Sequence, residues 1–406
     1  MTISLSIPSE MHNPKTMEWE KELRTIEGRR LFRSMPEVSG IAGRLIRIDG
    51  RSALNFSSNN YLGLAGHPKV IEAAVEAARR CGAGATASRL IAGNNETFRE
   101  LEVFLAQWKQ TESALVYGSG YQANLGIITA LMDEHDLIVS DELNHASIID
   151  GCRLSRARVQ VYRHLNVDEA EKALKSIAAR RKLLVTESVF SMDGDEAPLR
   201  ELSFICRRWG AMFMVDEAHA TGIRGPRGTG LAAELGVSPD IQMGTLGKAV
   251  GSAGAYVAGE RRLIDFLINK SRSLIYTTAP TPATVGAALA GLKIIESLEG
   301  TQRRRRLLEN AHNFQSLLEK SSVLSTVVPS MFSHIVPIIL GKSDTAMKIS
   351  KECLRLGIFV HGIRYPTVPE NTARLRFTLM SDHTSEDVAK AVDILERAVK
   401  AVVCNE

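Results

Sequence analysis

Short apolar runs alternate with helix-like stretches along most of the chain from Pro68 onward. The helix-like stretches, such as 69–80 and 97–108, carry apolar side chains at helical spacing. The apolar runs predict strands at 114–117, 137–140, 159–162, 183–186, 213–215 and 255–258. Apolar strands that alternate with helices are typical of a mainly parallel sheet covered on both faces. The pattern therefore predicts an α/β fold.

The pattern differs at both ends of the chain. Residues up to about 15 are polar and patternless, 17–31 predicts a helix, and 45–56 predicts a hairpin that turns at Asp49 and Gly50. After about residue 292 a long charged helix leads into a smaller α+β unit, with strands at 335–340 and 374–379. Thr384 and Asp387 mark the start of a final amphipathic helix. We therefore divide the chain into an arm with a helix (1–53), a large α/β domain (54–292) and a small α+β domain (293–406).

Composition narrows the function classes. Hydrophobic residues are 44%, charged residues 24% and the formal net charge +4, which is too mild to argue for nucleic acid. The five cysteines are scattered without a C-x-x-C pair or a zinc spacing, which favours reduced thiols in the cytoplasm and no metal site. No stretch has the apolar length of a membrane span and no signal peptide is recognisable, so we expect neither secretion nor membrane insertion.

One lysine among small residues is the strongest chemical signal. Lys248 lies within D-I-Q-M-G-T-L-G-K-A-V-G-S-A-G. Apolar neighbours lower the pKa of a lysine, and an uncharged lysine suits Schiff-base chemistry. A phosphate-binding P-loop would need Gly six residues before the lysine and Ser or Thr after it, but Gln242 and Ala249 stand there. For this stretch alone, a lysine on a flexible glycine loop remains the alternative.

An acid ends an apolar strand upstream of this lysine, in M-F-M-V-D-E-A-H, where the acid is Asp216. Pyridoxal phosphate enzymes need a lysine together with a buried Asp that keeps the pyridine nitrogen protonated. A Walker-B metal ligand is the alternative for such an acid, yet that site would need the missing P-loop. The lysine and the acid together favour a pyridoxal phosphate enzyme.

Further polar residues follow the predicted strands, where parallel sheets bind ligands. Gly120 and Tyr121 begin a predicted helix, so their backbone N–H groups could hold a phosphate. His145 could lie flat on a cofactor ring or face solvent from its turn. His219, three residues after Asp216, could hydrogen-bond the cofactor's phenolic oxygen or support that acid.

Two more segments carry candidate chemistry. The stretch 188–195 reads S-V-F-S-M-D-G-D, a turn with hydroxyls and acids, but the chain has no G-x-S-x-G elbow for serine-hydrolase chemistry. Arg374 and Arg376 stand two apart at a strand entry and hence on one face. Either could meet a substrate carboxylate, or both could be solvated.

In order and spacing, these segments resemble the α-oxoamine synthases over roughly residues 33–383. The motifs that carry the resemblance are S-S-N-N-Y-L-G-L, N-H-A-S, V-F-S-M-D-G-D, V-D-E-A-H-A-T-G, G-T-L-G-K and P-T-V-P-E-N-T-A-R-L-R. Members are fold-type I pyridoxal phosphate enzymes, with the fold of aspartate aminotransferase, that condense an amino acid with an acyl thioester and lose carbon dioxide. The resemblance implies a homodimer. It also implies that the acyl group of the thioester substrate is carried by coenzyme A or by an acyl carrier protein.

The resemblance also implies a role for each site residue. Lys248 would be the Schiff-base lysine, Asp216 would meet the pyridine nitrogen and His145 would stack on the ring. The rest of the cofactor would be held by Ser191 and His219 at the phenolic edge, by Gly120, Tyr121 and Thr245 at the phosphate, and by Thr277 of the neighbouring subunit. The substrate residues would be Asn59 and Arg376 for the amino-acid carboxylate, and Thr367 and Arg33 for the acyl group.

The chain departs from the family pattern after Thr277, where it reads A-P-T-P in place of paired prolines, and at Asn371, where a glycine is common. The motifs favour the branch that joins L-alanine to a pimeloyl thioester. The alternatives are a sister branch that joins glycine to acetyl-CoA, another α-oxoamine synthase with a different acyl donor, and a pyridoxal-binding module without turnover. The module is disfavoured because a pure binder needs no general base.

Overall fold

The structure is a computed structural model that describes residues 14–29, 31–325 and 332–403. Most of the patternless arm therefore lies outside the described residues. The strands are β1 Val38–Ser39, β2 Leu45–Ile48, β3 Arg51–Asn55, β4 Ser113–Tyr117, β5 Leu137–Asp141, β6 Arg158–Tyr162, β7 Lys182–Glu187, β8 Met212–Asp216, β9 Ile241–Thr245, β10 Ala255–Gly259, β11 Ile335–Gly341, β12 Ile358–Phe359, β13 Gly362–Ile363 and β14 Ala373–Thr378. The α-helices are α1 Pro14–Gly28, α2 Pro68–Cys81, α3 Glu96–Lys109, α4 Gly120–Leu131, α5 Ala146–Ser155, α6 Val167–Ser176, α7 Leu199–Trp209, α8 Leu231–Glu234, α9 Arg261–Lys270, α10 Arg272–Ile275, α11 Pro282–Glu296, α12 Leu298–Lys320, α13 Ser343–Arg355 and α14 Ser385–Val403.

A seven-stranded sheet in the order β4-β10-β9-β8-β7-β5-β6 forms the centre of the α/β region. Its strands from β9 to β6 pair in parallel, and β10 is antiparallel to both of its neighbours. The mainly parallel sheet and six of its strands confirm the prediction. The sequence did not predict β9, because its five residues run directly into the glycine-rich stretch of Lys248.

The sheet buries both of its faces, as a doubly covered parallel sheet requires. Neighbouring residues of β5 show this directly, since Ile138 belongs to one apolar cluster with α4 and Val139 to another with α6 and α7. Successive side chains of a strand point to opposite faces, so a continuous apolar run supplies both clusters. The sheet is therefore a rigid platform whose edges remain available for a site.

The N-terminal hairpin forms as predicted, with β2 and β3 antiparallel and with Asp49 and Gly50 at positive φ of 45° and 79° in the turn. β3 also pairs in parallel with β12, so the hairpin shares a sheet with a C-terminal strand. The division of the chain at residues 53 and 292 stays a prediction.

The C-terminal region contains the predicted strands β11 and β14, which pair in a sheet with β13. The predicted cap of α14 is confirmed, because the N–H of Thr384 donates to Asp387 Oδ2 at 2.9 Å and the N–H of Asp387 donates to Thr384 Oγ1 at 3.2 Å. In the part of the chain that the structure describes, no helix is long and apolar enough to cross a membrane.

Candidate active site

The carboxyl ends of three adjacent parallel strands each carry a buried acid. β5 ends at Asp141, β7 at Glu187 and β8 at Asp216, and each of these residues is less than 5% exposed. Glu187 and Asp216 are direct partners in the strand register. Three acids at one edge of the sheet would repel one another unless cations or hydrogen-bond donors faced them. The edge that the sequence indicated for ligand binding is therefore strongly polar.

The amine of Lys248 begins a chain of hydrogen bonds at this site. Its Nζ lies 2.8 Å from His219 Nε2, and His219 Nδ1 lies 2.8 Å from Tyr61 Oη. The hydroxyl of Tyr61 donates to Asn59 Oδ1 at 2.9 Å, so we assign the ring proton of His219 to Nδ1, which donates to Tyr61. His219 Nε2 is then an acceptor that orients the amine of Lys248.

Burial sets the protonation of this chain. Burial lowers the pKa of Lys248 to about 8, although Asp216 and Glu187 oppose the shift, and the charge of Arg376 adds to it. Burial also lowers the pKa of His219 well below its usual range, and the cation at Lys248 adds to the shift. His219 is therefore neutral at pH 7, and Lys248 can exchange a proton with a ligand near that pH.

The side-chain oxygens of Asp216 accept hydrogen bonds from two donors. Asn124 Nδ2 donates to its Oδ2 at 2.8 Å, and the N–H of Ala218 donates to its Oδ1 at 2.9 Å. The same Asn124 amide donates to Ser147 Oγ at 2.9 Å, and Ser147 Oγ lies 2.7 Å from His145 Nδ1. The acid and the histidine that the sequence singled out therefore belong to one network.

His145 is exposed in this network, so its ring can either lie on a ligand or face solvent. Its backbone N–H donates to Glu187 Oε1 at 2.6 Å. Burial, followed by the charge of Asp216, raises the pKa of Glu187 to about 8. Lys248 and Glu187 can therefore each exchange a proton near neutral pH.

The first turn of α4 lies beside the end of β9. Ala255 pairs with Tyr117 on one side and with Thr245 on the other, which aligns the two strand ends. Ser119 caps α4 by accepting from the N–H of Gln122 at 3.2 Å. The N–H groups at the first positions of a helix have no intrahelical acceptor and attract anions. Gly120 and Tyr121 supply such groups, and the side chain of Tyr121 points elsewhere, to Asp150.

Arg376 is buried without an acidic partner. Its Nη1 donates to Asn59 Oδ1 at 3.2 Å, its Nη2 to Tyr61 Oη at 3.4 Å, and its Nε to the backbone carbonyl of Ser191. Within the described ranges no carboxylate lies at ion-pair distance from Arg376, which is 8% exposed. Its neighbour Arg374 is instead paired with Asp193. Neither arginine is solvated, and Arg376 is the one left for an external carboxylate.

Three predicted residues stand apart from this network. Arg33 and Thr367 are exposed, and Thr277 is half-buried with its hydroxyl donating to the carbonyl of Thr278 at 3.4 Å. Among the described residues none of the three hydrogen-bonds to Lys248, Asp216 or Arg376.

No chemical role was predicted from the sequence for four residues of the site, namely Tyr61, Asn124, Ser147 and Glu187. Tyr61 lies inside the motif S-S-N-N-Y-L-G-L and Ser147 inside N-H-A-S. Asn124 stands four residues after Gly120, one helical turn along the same face. That helical spacing is the signal that could have identified Asn124. Nothing in the sequence shows that the hydroxyl of Tyr61 reaches His219, because the two are 158 residues apart.

The chain is similar to known proteins over most of its length. The family model of class I and II aminotransferases matches residues 51–395. A protein of Geobacter sulfurreducens named 8-amino-7-oxononanoate synthase is 46% identical over 382 residues, which cover 93% of this chain and 97% of that protein.

Solved structures of two kinds are also similar. A variant serine palmitoyltransferase from S. paucimobilis, with bound PLP and myriocin, is 28% identical with a TM-score of 0.89, over 97% of this chain and 100% of that one. An 8-amino-7-oxononanoate synthase from Francisella tularensis is 29% identical with a TM-score of 0.73, over 86% of this chain and 98% of that one.

Proposed function

Because the chain belongs to the class I and II aminotransferases and, within them, to the α-oxoamine synthases, we propose that it joins L-alanine to a pimeloyl thioester. The products are 8-amino-7-oxononanoate, carbon dioxide and a free thiol, which places the enzyme in biotin synthesis. The relatives named for this reaction support the proposal, since they are about 45% identical over most of the chain. The main structural observation behind the proposal is the chain of hydrogen bonds that links the Lys248 amine to the guanidinium of Arg376, which has no acidic partner among the described residues.

The cofactor is pyridoxal phosphate, and the residues present fit it at three points. The amine of Lys248 suits its aldehyde carbon, the buried carboxylate of Asp216 suits its ring nitrogen, and the first turn of α4 suits its phosphate. Thr245 adds a hydroxyl at the phosphate end, while Ser191 and His219 stand at the phenolic edge and His145 at the ring. When bound, pyridoxal phosphate supplies an electron sink for the charge that develops at the amino-acid Cα.

Arg376 and Asn59 hold the carboxylate of alanine. A buried guanidinium beside a neutral amide is a strong carboxylate site, because the charge of Arg376 is not satisfied inside the protein. The hydrogen bond between Tyr61 and His219 keeps this site in register with Lys248. The Cα–H bond of alanine can therefore be presented to the lysine amine.

Lys248 Nζ takes the Cα proton and later returns one. A pKa of about 8 leaves part of the amine uncharged at neutral pH, as a general base requires. In the balanced reaction the alanine Cα bonds to the thioester carbonyl carbon as its bond to sulfur breaks, the thiolate leaves and takes a proton from water, and the alanine carboxylate departs as carbon dioxide. Lys248 then returns a proton to Cα.

Arg33 and Thr367 hold the acyl group in this proposal. Both are exposed, and Arg33 lies near enough to Arg364 that its charge adds to burial in lowering the pKa of that guanidinium. An exposed basic region suits a thioester that is delivered on coenzyme A or on an acyl carrier protein.

We assign the working state as a cytoplasmic homodimer. Leu90, Ile91 and Tyr276 are 48%, 81% and 72% exposed, and the N–H of Ala279 donates to the carbonyl of Ala87 at 3.0 Å, which joins the two segments. Exposed apolar clusters of this kind mark protein interfaces. In the dimer this face would be covered, and Thr277 beside it would reach the phosphate site of the partner subunit.

The test is the identity of the product. Alanine and glycine are each offered with pimeloyl-CoA, pimeloyl acyl carrier protein and acetyl-CoA, and products are identified by mass spectrometry. We expect 8-amino-7-oxononanoate from alanine with a pimeloyl donor, and labelled carbon dioxide from carboxyl-labelled alanine. A preference for glycine with acetyl-CoA would assign the chain to the sister branch, and cofactor binding without any product would leave only a binding module.

A further inference from the structure

A histidine outside the network described so far joins two turns of the site. His164 follows β6, and its ring nitrogens each lie 2.8 Å from a carboxylate oxygen, Nδ1 from Asp141 Oδ1 and Nε2 from Asp195 Oδ2. The ring also meets the ring of Phe190 edge-on, with centroids 4.4 Å apart and an interplanar angle of 88°. These contacts fix both the position and the rotation of the imidazole.

Both ring nitrogens of His164 must be donors, because each faces a carboxylate oxygen. A neutral imidazole carries one N–H and one lone pair, so only the imidazolium satisfies both acids. Burial alone would lower the pKa of His164, but hydrogen bonds to Asp141 and Asp195 and the charges of those acids raise it to about 10. Among the described residues, the only other ionisable side chain that hydrogen-bonds to His164 is Glu142, whose carboxylate accepts the backbone N–H of His164 at 2.7 Å.

The first of the two turns leads to His145. Asp141 ends β5, and its oxygens also accept the N–H of Leu143 at 2.9 Å and that of Leu165 at 3.0 Å. A short turn joins Asp141 to His145 at the start of α5. A displacement of Asp141 would therefore be passed to His145.

The second turn leads to Arg376. It spans residues 190–195 and is closed by the N–H of Phe190 donating to the carbonyl of Asp195 at 2.9 Å. This turn supplies the Ser191 carbonyl that accepts from Arg376 Nε, and the Asp193 carboxylate that pairs with Arg374. The position of the Arg376 guanidinium therefore depends on the position of the turn of residues 190–195.

We propose that His164 is a positioning residue. By donating from both ring nitrogens to Asp141 and Asp195, it fixes the turn of residues 190–195 against the turn that leads from Asp141 to His145. The consequence for the site is the spacing between the ring at His145 and the guanidinium at Arg376. This consequence rests on the proposed function, in which Arg376 holds the amino-acid carboxylate. The clamp itself does not, because it is defined by contacts within the protein.

Two substitutions test this contact: the first replaces the donor at Asp195 by an acceptor, and the second changes residue 195 so that a hydrogen bond can form again. In His164→Gln the amide NH₂ can still donate to Asp141, but the amide oxygen faces the Asp195 carboxylate, so two acceptors meet. Adding Asp195→Asn turns that acceptor into a donor. The double variant therefore restores a hydrogen bond without restoring any charge. His135→Gln, at an exposed histidine on the loop before β5, is the matched control.

The first measurement does not depend on substrate. Protein labelled with ¹⁵N at its ten histidines is examined in a long-range ¹H–¹⁵N spectrum at pH 8. We expect one histidine with both ring nitrogens protonated, present in the His135→Gln protein and absent from His164→Gln. A neutral His164 ring at pH 8 overturns the proposal, whatever the enzyme's reaction is.

The second measurement follows the holoenzyme through thermal unfolding and substrate binding. We expect His164→Gln to lower the melting temperature and to raise the Kd for L-alanine about tenfold, with the KM for pimeloyl-CoA changed less than about twofold. The double variant should regain at least half of both losses, and His135→Gln should show neither.

The outcomes separate a positioning role from a structural one. Loss of stability in His164→Gln with alanine binding unchanged means that His164 only supports the fold, and overturns the proposal. A double variant no better than His164→Gln, or one that fails to fold, also overturns it. If the wild-type enzyme binds no alanine, the proposed function has failed, while the spectrum and the thermal rescue still decide whether the clamp exists.

Discussion

At the scale of the residue, the chemistry of the site comes from removing solvent from a few charges. Lys248 is half-buried and faces His219, which is neutral and can only accept from the amine. The acids Asp216 and Glu187 favour the ammonium form, but burial outweighs them and the pKa of the lysine stays low. A reactive amine is thus obtained without a special base beside it.

The low pKa of Lys248 predicts an unusual pH dependence of its reactivity. With a pKa of about 8, about a tenth of the amine is uncharged at pH 7, against less than about one in a thousand for a lysine near 10.5. In protein freed of cofactor, we expect reductive methylation of Lys248 to reach half its maximal rate near pH 8. Peptide mass spectrometry measures this rate, with N-acetyllysine amide in the same solution as the reference. A midpoint above pH 10 would mean that burial does not act as described.

At the scale of the element, the proposed function assigns the positioning of the cofactor to the sheet edge and one helix terminus. β7, β8 and β9 deliver Glu187, Asp216 and Thr245 to one edge, and α4 points its first turn at the same place. Strand ends are well suited to this task because the apolar clusters on both faces hold each strand in register.

The cap of α4 should affect both stability and cofactor binding. Ser119→Ala removes the acceptor of the Gln122 N–H and should lower the free energy of unfolding by about 1 kcal/mol. Fraying of the first turn should also weaken the binding of pyridoxal phosphate severalfold. Asn166→Ala, which removes the equivalent cap of α6 at Glu169, is the control. It should cost similar stability in thermal melts and leave cofactor affinity unchanged; equal effects of both variants on affinity would remove α4 from the phosphate site.

The sequence predicts elements better than it predicts contacts. Apolar runs identify β5, β7 and β8 because a strand buried on both faces needs apolar side chains at every position. An apolar run does not identify β9, because Gly244 and the glycines after it interrupt the apolar sequence. Arg374 and Arg376 look alike in the sequence, and only the position of the turn 190–195 gives Asp193 to the first and leaves the second without an acid. Such partners come from distant segments, so no local pattern contains them.

At the scale of the whole molecule, the exposed apolar face predicts a dimer. Ile91→Asp places a charge on the most exposed member of this face, and should give a monomer that binds pyridoxal phosphate more weakly, because the proposed contact of Thr277 with the partner's phosphate site would be lost. Sedimentation analysis measures the oligomeric state, and absorbance measures the bound cofactor. Phe204→Asp, at a 58% exposed aromatic on α7, should remain dimeric. A dimeric Ile91→Asp protein would locate the interface elsewhere.

The most direct test of the account is to find where the cofactor attaches. The holoenzyme is reduced with borohydride and digested, and the pyridoxyl group is located by peptide mass spectrometry. For comparison the chain offers Lys109, a buried lysine whose pKa is also lowered by burial and whose amine donates to the carbonyl of Thr229. Lys109 stands at the end of α3, and among the described residues it hydrogen-bonds to none of the three acids at the sheet edge. We predict the pyridoxyl group on the peptide that contains Lys248 and none on the peptide of Lys109; a label on Lys109, or a protein that takes up no pyridoxal phosphate, would contradict the account.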